Sequence, residues 1–141
     1  MRAKTKFIIS GNLLDEIISH CKEAYPLEAC GILAGKDRVV KKVYRMNNIE
    51  RSSISYLMES REQFRVMKEM RDLSLDMVAI YHSHPHADAH PSPKDISLAF
   101  YQDSLYVIVS LLDTEPLVKA FEIKDGEFRE VAIQIQFNST K

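Results

Sequence analysis

A chain of 141 residues, 45% hydrophobic and 28% charged, has the size and composition of one ordinary globular domain, expected here over residues 1–141. Lys plus Arg number 19 against 20 Asp plus Glu, and a net charge of −1 lacks the basic excess of a nucleic-acid binder. Two cysteines cannot build a disulfide scaffold, and no apolar run approaches the roughly 20 residues that cross a bilayer, so the expectation is a cytoplasmic protein without export signal or membrane anchor.

Residues 6–10 read as a short strand. Residues 12–25 read as an amphipathic helix: Leu14, Ile18, Cys21 and Tyr25 recur on one face, Asn12 with Asp15 offers a cap, and Pro26 ends the run. A short apolar strand is expected at 29–35, a turn at 35–38 and a strand at 39–44. Residues 55–58 suggest a further strand. Ser60 with Gln63 makes a capping box, opening a helix to about residue 73 with Phe64, Met67 and Met70 turned inward. The run 77–81 (MVAIY) is a buried strand by length and β-branching, 82–91 a loop, and Ser92-Pro93-Lys94-Asp95 opens a helix to about residue 102. Residues 105–112 form a second buried strand. Residues 116–124 and 127–137 form a hairpin through Asp125-Gly126, with Val131, Ile133, Ile135 and Phe137 alternating along it. Residues 138–141 read as a frayed tail. Three helices among about seven strands indicate an α/β or α+β class with a mixed sheet.

Histidine is the compositional oddity: four of the five, His82, His84, His86 and His90, fall within nine residues. His82 and His84, at i and i+2 where a strand ends, point to the same side, so both imidazoles can reach one point. Neutral imidazole binds zinc at roughly 2.0–2.1 Å, and a carboxylate at Asp95, in the first turn of the next helix, can turn back toward the strand end. Two His and one Asp leave a fourth zinc position open to water, as in hydrolytic rather than structural sites. Ser92, Pro93 and Asp95 also make a good helix start with no metal at all, and the two readings are compatible. Hydrolysis needs a base. Glu28, between a Pro-terminated helix and an apolar strand, is the candidate, although its spacing does not place it beside His82 and a turn glutamate is commonly solvated.

Taken in order, Pro26-x-Glu28-x-Cys30-Gly31, His82-Ser83-His84-Pro85 and Ser92-x-x-Asp95 resemble the signature of the JAMM/MPN+ (JAB-domain) zinc metallopeptidases, with no signature residue replaced. The resemblance covers nearly the whole chain, and its compact length is similar to that of the stand-alone prokaryotic members. Residues 100–111 resemble the sulfur-carrier-processing branch. The resemblance implies a cytidine-deaminase-like α/β/α sandwich around a central curved mixed sheet. It implies one zinc held by His82, His84 and Asp95 with a bound water as nucleophile, Glu28 as general base, and a Ser92 hydroxyl that stabilises the oxyanion. It also implies a substrate: a peptide or isopeptide bond after the C-terminal Gly-Gly of a ubiquitin-like or sulfur-carrier protein, with cysteine or another adduct released by some members. A homodimer is a further implication.

The other candidates are weaker. Cys21 and Cys30 are expected to pack as small buried hydrophobes, although Cys30 could also act as thiol ligand or nucleophile. Gly31 is expected to allow close backbone approach near the site, and Ser83 to lie near the zinc. His86, Asp88 and His90 are explained more simply by exposed loop polarity than by a second metal or a contact with the substrate tail. Met58, Met67, Met70 and Met77 are expected in the core rather than on a partner-binding surface. Three alternative functions stand beside the favoured one. A zinc deaminase would need a Cys-x-x-Cys that this chain lacks. An inactive MPN-type scaffold would be expected to have lost its ligands. A general short-peptide metallopeptidase differs in substrate alone.

Overall fold

The structure, a computed structural model, describes residues 6–137; the expected tail at 138–141 lies outside them. The elements follow in the order β1 (Lys6–Ser10), α1 (Gly11–Ala24), β2 (Cys30–Lys36), β3 (Val39–Met46), α2 (Ser60–Asp72), β4 (Asp76–His84), α3 (Pro93–Ser97), β5 (Leu105–Ser110), β6 (Leu117–Lys124) and β7 (Glu127–Gln136). The strands lie side by side as β1-β3-β2-β4-β5-β6-β7, and the sheet curves until β7 pairs with β1. β4 runs parallel to β5 and β1 parallel to β7, while β2 is antiparallel to both β3 and β4.

Alternation along the strands feeds two apolar cores. In β5, Leu105, Val107 and Val109 enter one core and Tyr106 and Ile108 the other, because successive side chains of an extended chain point to opposite faces. Helix α1 buries Ile17 and Cys21 in the first core. Helix α2 buries Val66 and Met70 in the second, and Ile96 of α3 packs against it. Full burial of a side chain such as Ile17 contributes about 1.5–3 kcal/mol. Helices on both faces of a curved mixed sheet give the expected α/β/α layering, with closure as the far limit of the curvature. The continuous apolar runs of β4 and β5 follow from burial on both faces.

Several local expectations change. The cap of α1 is Ser10, whose hydroxyl accepts from Leu13 N, and not Asn12. Tyr25 is exposed just past the helix, off its buried stripe. The cap of α2 is Glu59, whose carboxylate accepts from Glu62 N at 2.7 Å and so takes the place expected of Ser60. Val66, not Phe64, faces inward with Met70; Phe64 is 72% exposed. Residues 55–58 form no strand beyond one bridge, Asn48 to Met58. Helix α3 stops at Ser97 rather than near residue 102, since Leu98 and Phe100 are exposed and offer no buried face to extend it. β7 holds Val131 in the core, but Ile135 and Phe137 run past it and are exposed. The hairpin is as expected, with Asp125 and Gly126 at φ 54 and 79, the double positive φ of a tight two-residue loop.

Candidate metal centre

The His82–His84 pair belongs to the strand, not to the loop expected at 82–91. β4 continues to His84 because β5 lies alongside: His82 is in register with Ile108 and His84 with Ser110. Leu111 N then donates to His84 O at 3.0 Å, holding the strand end in place. Both imidazoles emerge on the face of Ile80 and Ile108. His82 is 1% exposed and His84 also buried.

The third group arrives from the start of α3. Ser92 Oγ accepts from Asp95 N at 3.0 Å, and Asp95 Oδ2 accepts from Ser92 N at 3.0 Å. This reciprocal cap fixes the carboxylate, so the helix start is as expected and also turns Asp95 back toward the two histidines. Asp95 Oδ2 lies 3.1 Å from His82 Nε2 and 3.0 Å from His84 Nε2, and the two Nε2 atoms are 3.2 Å apart. Four tetrahedral zinc ligands at roughly 2.0–2.1 Å stand about 3.3 Å from one another, close to this spacing. His84 Nδ1–H donates to the main-chain carbonyl of Asp88 at 2.7 Å, which turns Nε2 inward, toward a proton shared with Asp95 or toward a metal. Lone pairs of an imidazole and a carboxylate at such distances repel unless a proton or a metal cation lies between them. The donor set therefore fits zinc, and it is a group of three side chains able to hold a metal ion.

The surroundings are asymmetric. Tyr56 stacks on His82 with ring centroids 4.7 Å apart and planes 26° from parallel. His82 Nδ1 is buried with no hydrogen-bond partner among the described residues, and so is Glu28 Oε1. Burial would raise the Asp95 pKa, but hydrogen bonds from His82 and His84 outweigh it and hold the carboxyl below the usual carboxylate range. Burial alone would lower His84, yet the Asp95 and Asp88 hydrogen bonds leave it raised.

Glu28 is not the solvated turn residue that its position permits. It is 4% exposed. Burial pushes its carboxyl up to about 8, with His84 pulling it down and Asp95 pushing it up, so it shares the electrostatic field of the ligands. Ser92 is half-buried; its oxygen accepts from Asp95, which leaves its own proton to donate elsewhere.

Other expectations resolve away from the centre. Ser83 faces the opposite side of β4, where its Oγ accepts from Ala29 N at 2.8 Å. Gly31 makes room for a ring and not for the site: a Cβ there would stand 2.2 Å from Cε2 of Tyr81. Cys21 and Cys30 are fully buried, and burial pushes both thiols up to about 12, which fits packing and not nucleophilic chemistry. His86, Asp88 and His90 have exposed side chains. Two contributors escaped the sequence reading. Tyr56 lies far from the ligands in sequence, and the Asp88 carbonyl is main chain, which carries no residue signature. A cleft of about 220 Å³ opens beside Asp95, walled by Tyr56 and Leu57 on one side and by Leu98, Phe100 and Tyr101 on the other. Among the described residues, no helix is long and apolar enough to cross a membrane.

Residues 10–124 match the family described as prokaryotic homologs of the JAB domain. A CysO-cysteine peptidase of Mycobacterium bovis is 36% identical over 132 residues, covering 91% of this chain and 90% of the relative. A probable TtuB-protein conjugate cleaving protease of Thermus thermophilus is 35% identical over 124 residues, covering 87% of this chain and 78% of its own. Among solved structures, a Desulfitobacterium hafniense protein superposes with a TM-score of 0.85 at 34% identity, covering 94% of each chain. A JAB1/MPN domain protein of Archaeoglobus fulgidus superposes with a TM-score of 0.61 at 22% identity, covering 93% of this chain and all of that one, a likeness of fold.

Proposed function

The chain belongs to the family of prokaryotic JAB-domain proteins, and from that premise we propose that it is a zinc-dependent peptidase acting at the C-terminus of a ubiquitin-like or sulfur-carrier protein. The observation that carries this reading is the meeting of His82 Nε2, His84 Nε2 and Asp95 Oδ2 within 3.0–3.2 Å of one another, in the electrostatic field of a buried glutamate. The family and its relatives, one a CysO-cysteine peptidase and one a conjugate-cleaving protease, support the substrate class.

In this reading His82, His84 and Asp95 would hold one zinc. Zinc bound there would polarise a carbonyl oxygen and bring the pKa of water from about 15.7 to about 7. Glu28 takes a proton from the attacking water at its carboxylate and returns it to the leaving amine nitrogen. Its burial, which raises it to about 8, keeps the two protonation states close in energy, and a nearby cation lowers it from there. The Ser92 hydroxyl donates to the scissile carbonyl oxygen as that oxygen gains charge, a contact whose loss costs ~10²–10³ in rate. The Asp88 carbonyl keeps the His84 tautomer, and Ser92 N holds Asp95 in place. The cleft between Tyr56 and Phe100 receives the extended Gly-Gly tail. Small residues suit a narrow slot, and its apolar rim suits a carrier's surface.

The test is metal analysis together with cleavage of a Gly-Gly-linked carrier fusion before and after chelation. Close to one zinc per chain and chelator-sensitive release are expected. Full cleavage by protein shown to lack zinc overturns the metal reading, and equal cleavage of unrelated short peptides overturns the carrier reading.

A further inference from the structure

Glu28 lies in an irregular stretch between α1 and β2, so no helix or strand ladder sets its main chain. Two contacts from a single loop do so instead. Glu28 N donates to Ser52 O at 2.8 Å, and Glu28 O accepts from Asn48 Nδ2 at 3.1 Å. The same Nδ2 donates to Ser55 O at 3.0 Å, while Asn48 Oδ1 accepts from Glu50 N at 3.0 Å and Leu57 N at 3.1 Å. One half-buried amide thereby uses all four of its hydrogen-bonding positions on main-chain groups. The loop it gathers, residues 49–57, carries Tyr56, which stacks on His82, and it forms one wall of the cleft beside Asp95. His82 has no partner at Nδ1 among the described residues, so the Tyr56 ring joins the Nε2 contacts to Asp95 and His84 in setting its plane.

We infer that Asn48 is a positioning residue for the reaction proposed above, on which this inference rests. It ties the main chain of the base to the cleft wall and, through Tyr56, to one of the ligands. Its amide does not touch His82, His84 or Asp95, so its effect on metal binding is small. Its effect on rate is large, since a misplacement of about 1 Å at a reacting group can cost ~10²-fold. Asparagine suits the position because the clasp needs two donors and two acceptors on a short side chain. Aspartate keeps the acceptors for Glu50 and Leu57 and loses both donors, to Glu28 and to Ser55.

The test compares Asn48→Ala and Asn48→Asp with the wild-type protein. Both variants are expected to bind zinc at wild-type stoichiometry. The value of kcat per zinc-loaded molecule should fall roughly 10–100-fold, with KM for the carrier fusion rising more in Asn48→Ala than in Asn48→Asp. A second readout needs neither metal nor turnover. In NMR spectra of the zinc-free protein, the His82 ring protons are shielded by Tyr56, and this shielding should be lost in Asn48→Ala. Lower thermal stability with unchanged kcat per zinc-loaded molecule would mean an ordinary loop clasp and overturns the inference. If Asn48→Ala does not fold, Asn48→Asp decides, and wild-type kcat in that variant overturns it as well. If the wild-type protein holds no zinc and cleaves no Gly-Gly fusion, the function proposed above fails. The His82 shielding then judges the clasp separately: its persistence in both variants overturns this inference too.

Discussion

The end of β4, Tyr81-His82-Ser83-His84, presents two unlike faces. On one, His82 and His84 meet Asp95, and two buried atoms, His82 Nδ1 and Glu28 Oε1, have no partner among the described residues. On the other, Tyr81 fills the space over Gly31 and hydrogen-bonds through its hydroxyl to His20 Nδ1 at 2.6 Å, while Ser83 Oγ accepts from Ala29 N. The first face leaves polar capacity open for chemistry; on the second, among the described residues, the buried Tyr81 and Ser83 hydroxyls both have partners. The contrast teaches that a reactive face is held by a satisfied one, because a buried open valence costs free energy that packing behind it must offset.

Five predictions bear on this contrast, beginning with the largest effect. His84→Ala should abolish both zinc binding and turnover while the fold persists, measured by metal analysis and circular dichroism; full activity in zinc-free variant protein would break the contrast at its centre. Glu28→Gln should retain zinc and lose ~10²–10⁴ in kcat, the contribution of a positioned base. The same variant carries a pH signature in the metal-free protein. Glu28 is raised to about 8 in the fold, so between about pH 4.5 and 8 the native state binds the proton that the unfolded state has released, and stability falls as pH rises. Gln removes that loss, so the melting temperature of metal-free Glu28→Gln should exceed wild type by a margin that grows from pH 5 to 8. A constant margin would mean that Glu28 titrates normally.

The scaffold face should respond in stability and not in chemistry. Gly31→Ala forces a methyl into the Tyr81 ring and should destabilise by about 1–3 kcal/mol in denaturant titrations, with kcat per folded molecule unchanged. A fall in kcat without a fall in stability would show that the two faces are not separate. The smallest effect concerns the thiols. Cys21 and Cys30 should resist alkylation at pH 8 in the folded protein and react fully on unfolding, as followed by mass spectrometry. Rapid labelling of native Cys30 would restore it as a reactive group.

Most strands were legible because their signals are local. The MVAIY run and the Asp125-Gly126 hairpin each depend on a few adjacent residues. The His82, His84 and Asp95 cluster was legible for the same reason: His-x-His and Ser-x-x-Asp carry their geometry in their spacing. Helix ends were less so. Ser10 and Glu59 win their caps over Asn12 and Ser60 by the point at which the chain enters the helix, and that point is set by packing. Phe64 shares helical spacing with Met67 and Met70, but the buried stripe of α2 runs through Val66 and Met70 and leaves Phe64 exposed. Asn48 left no signal, because its partners are main-chain atoms of segments brought together only on folding.

By itself the sequence determined the mixed helix–strand class, the histidine–aspartate cluster and the capping box that aims Asp95, all short-range consequences of residue type and period. Tertiary structure decided the rest. It carried β4 through His84 by pairing it with β5, turned Ser83 and Gly31 away from the centre, and buried Glu28 far enough to raise its carboxyl to about 8. Those properties depend on which distant segments exclude water from a group, and no spacing along the chain encodes that until the sheet has curved and the loops have closed over it.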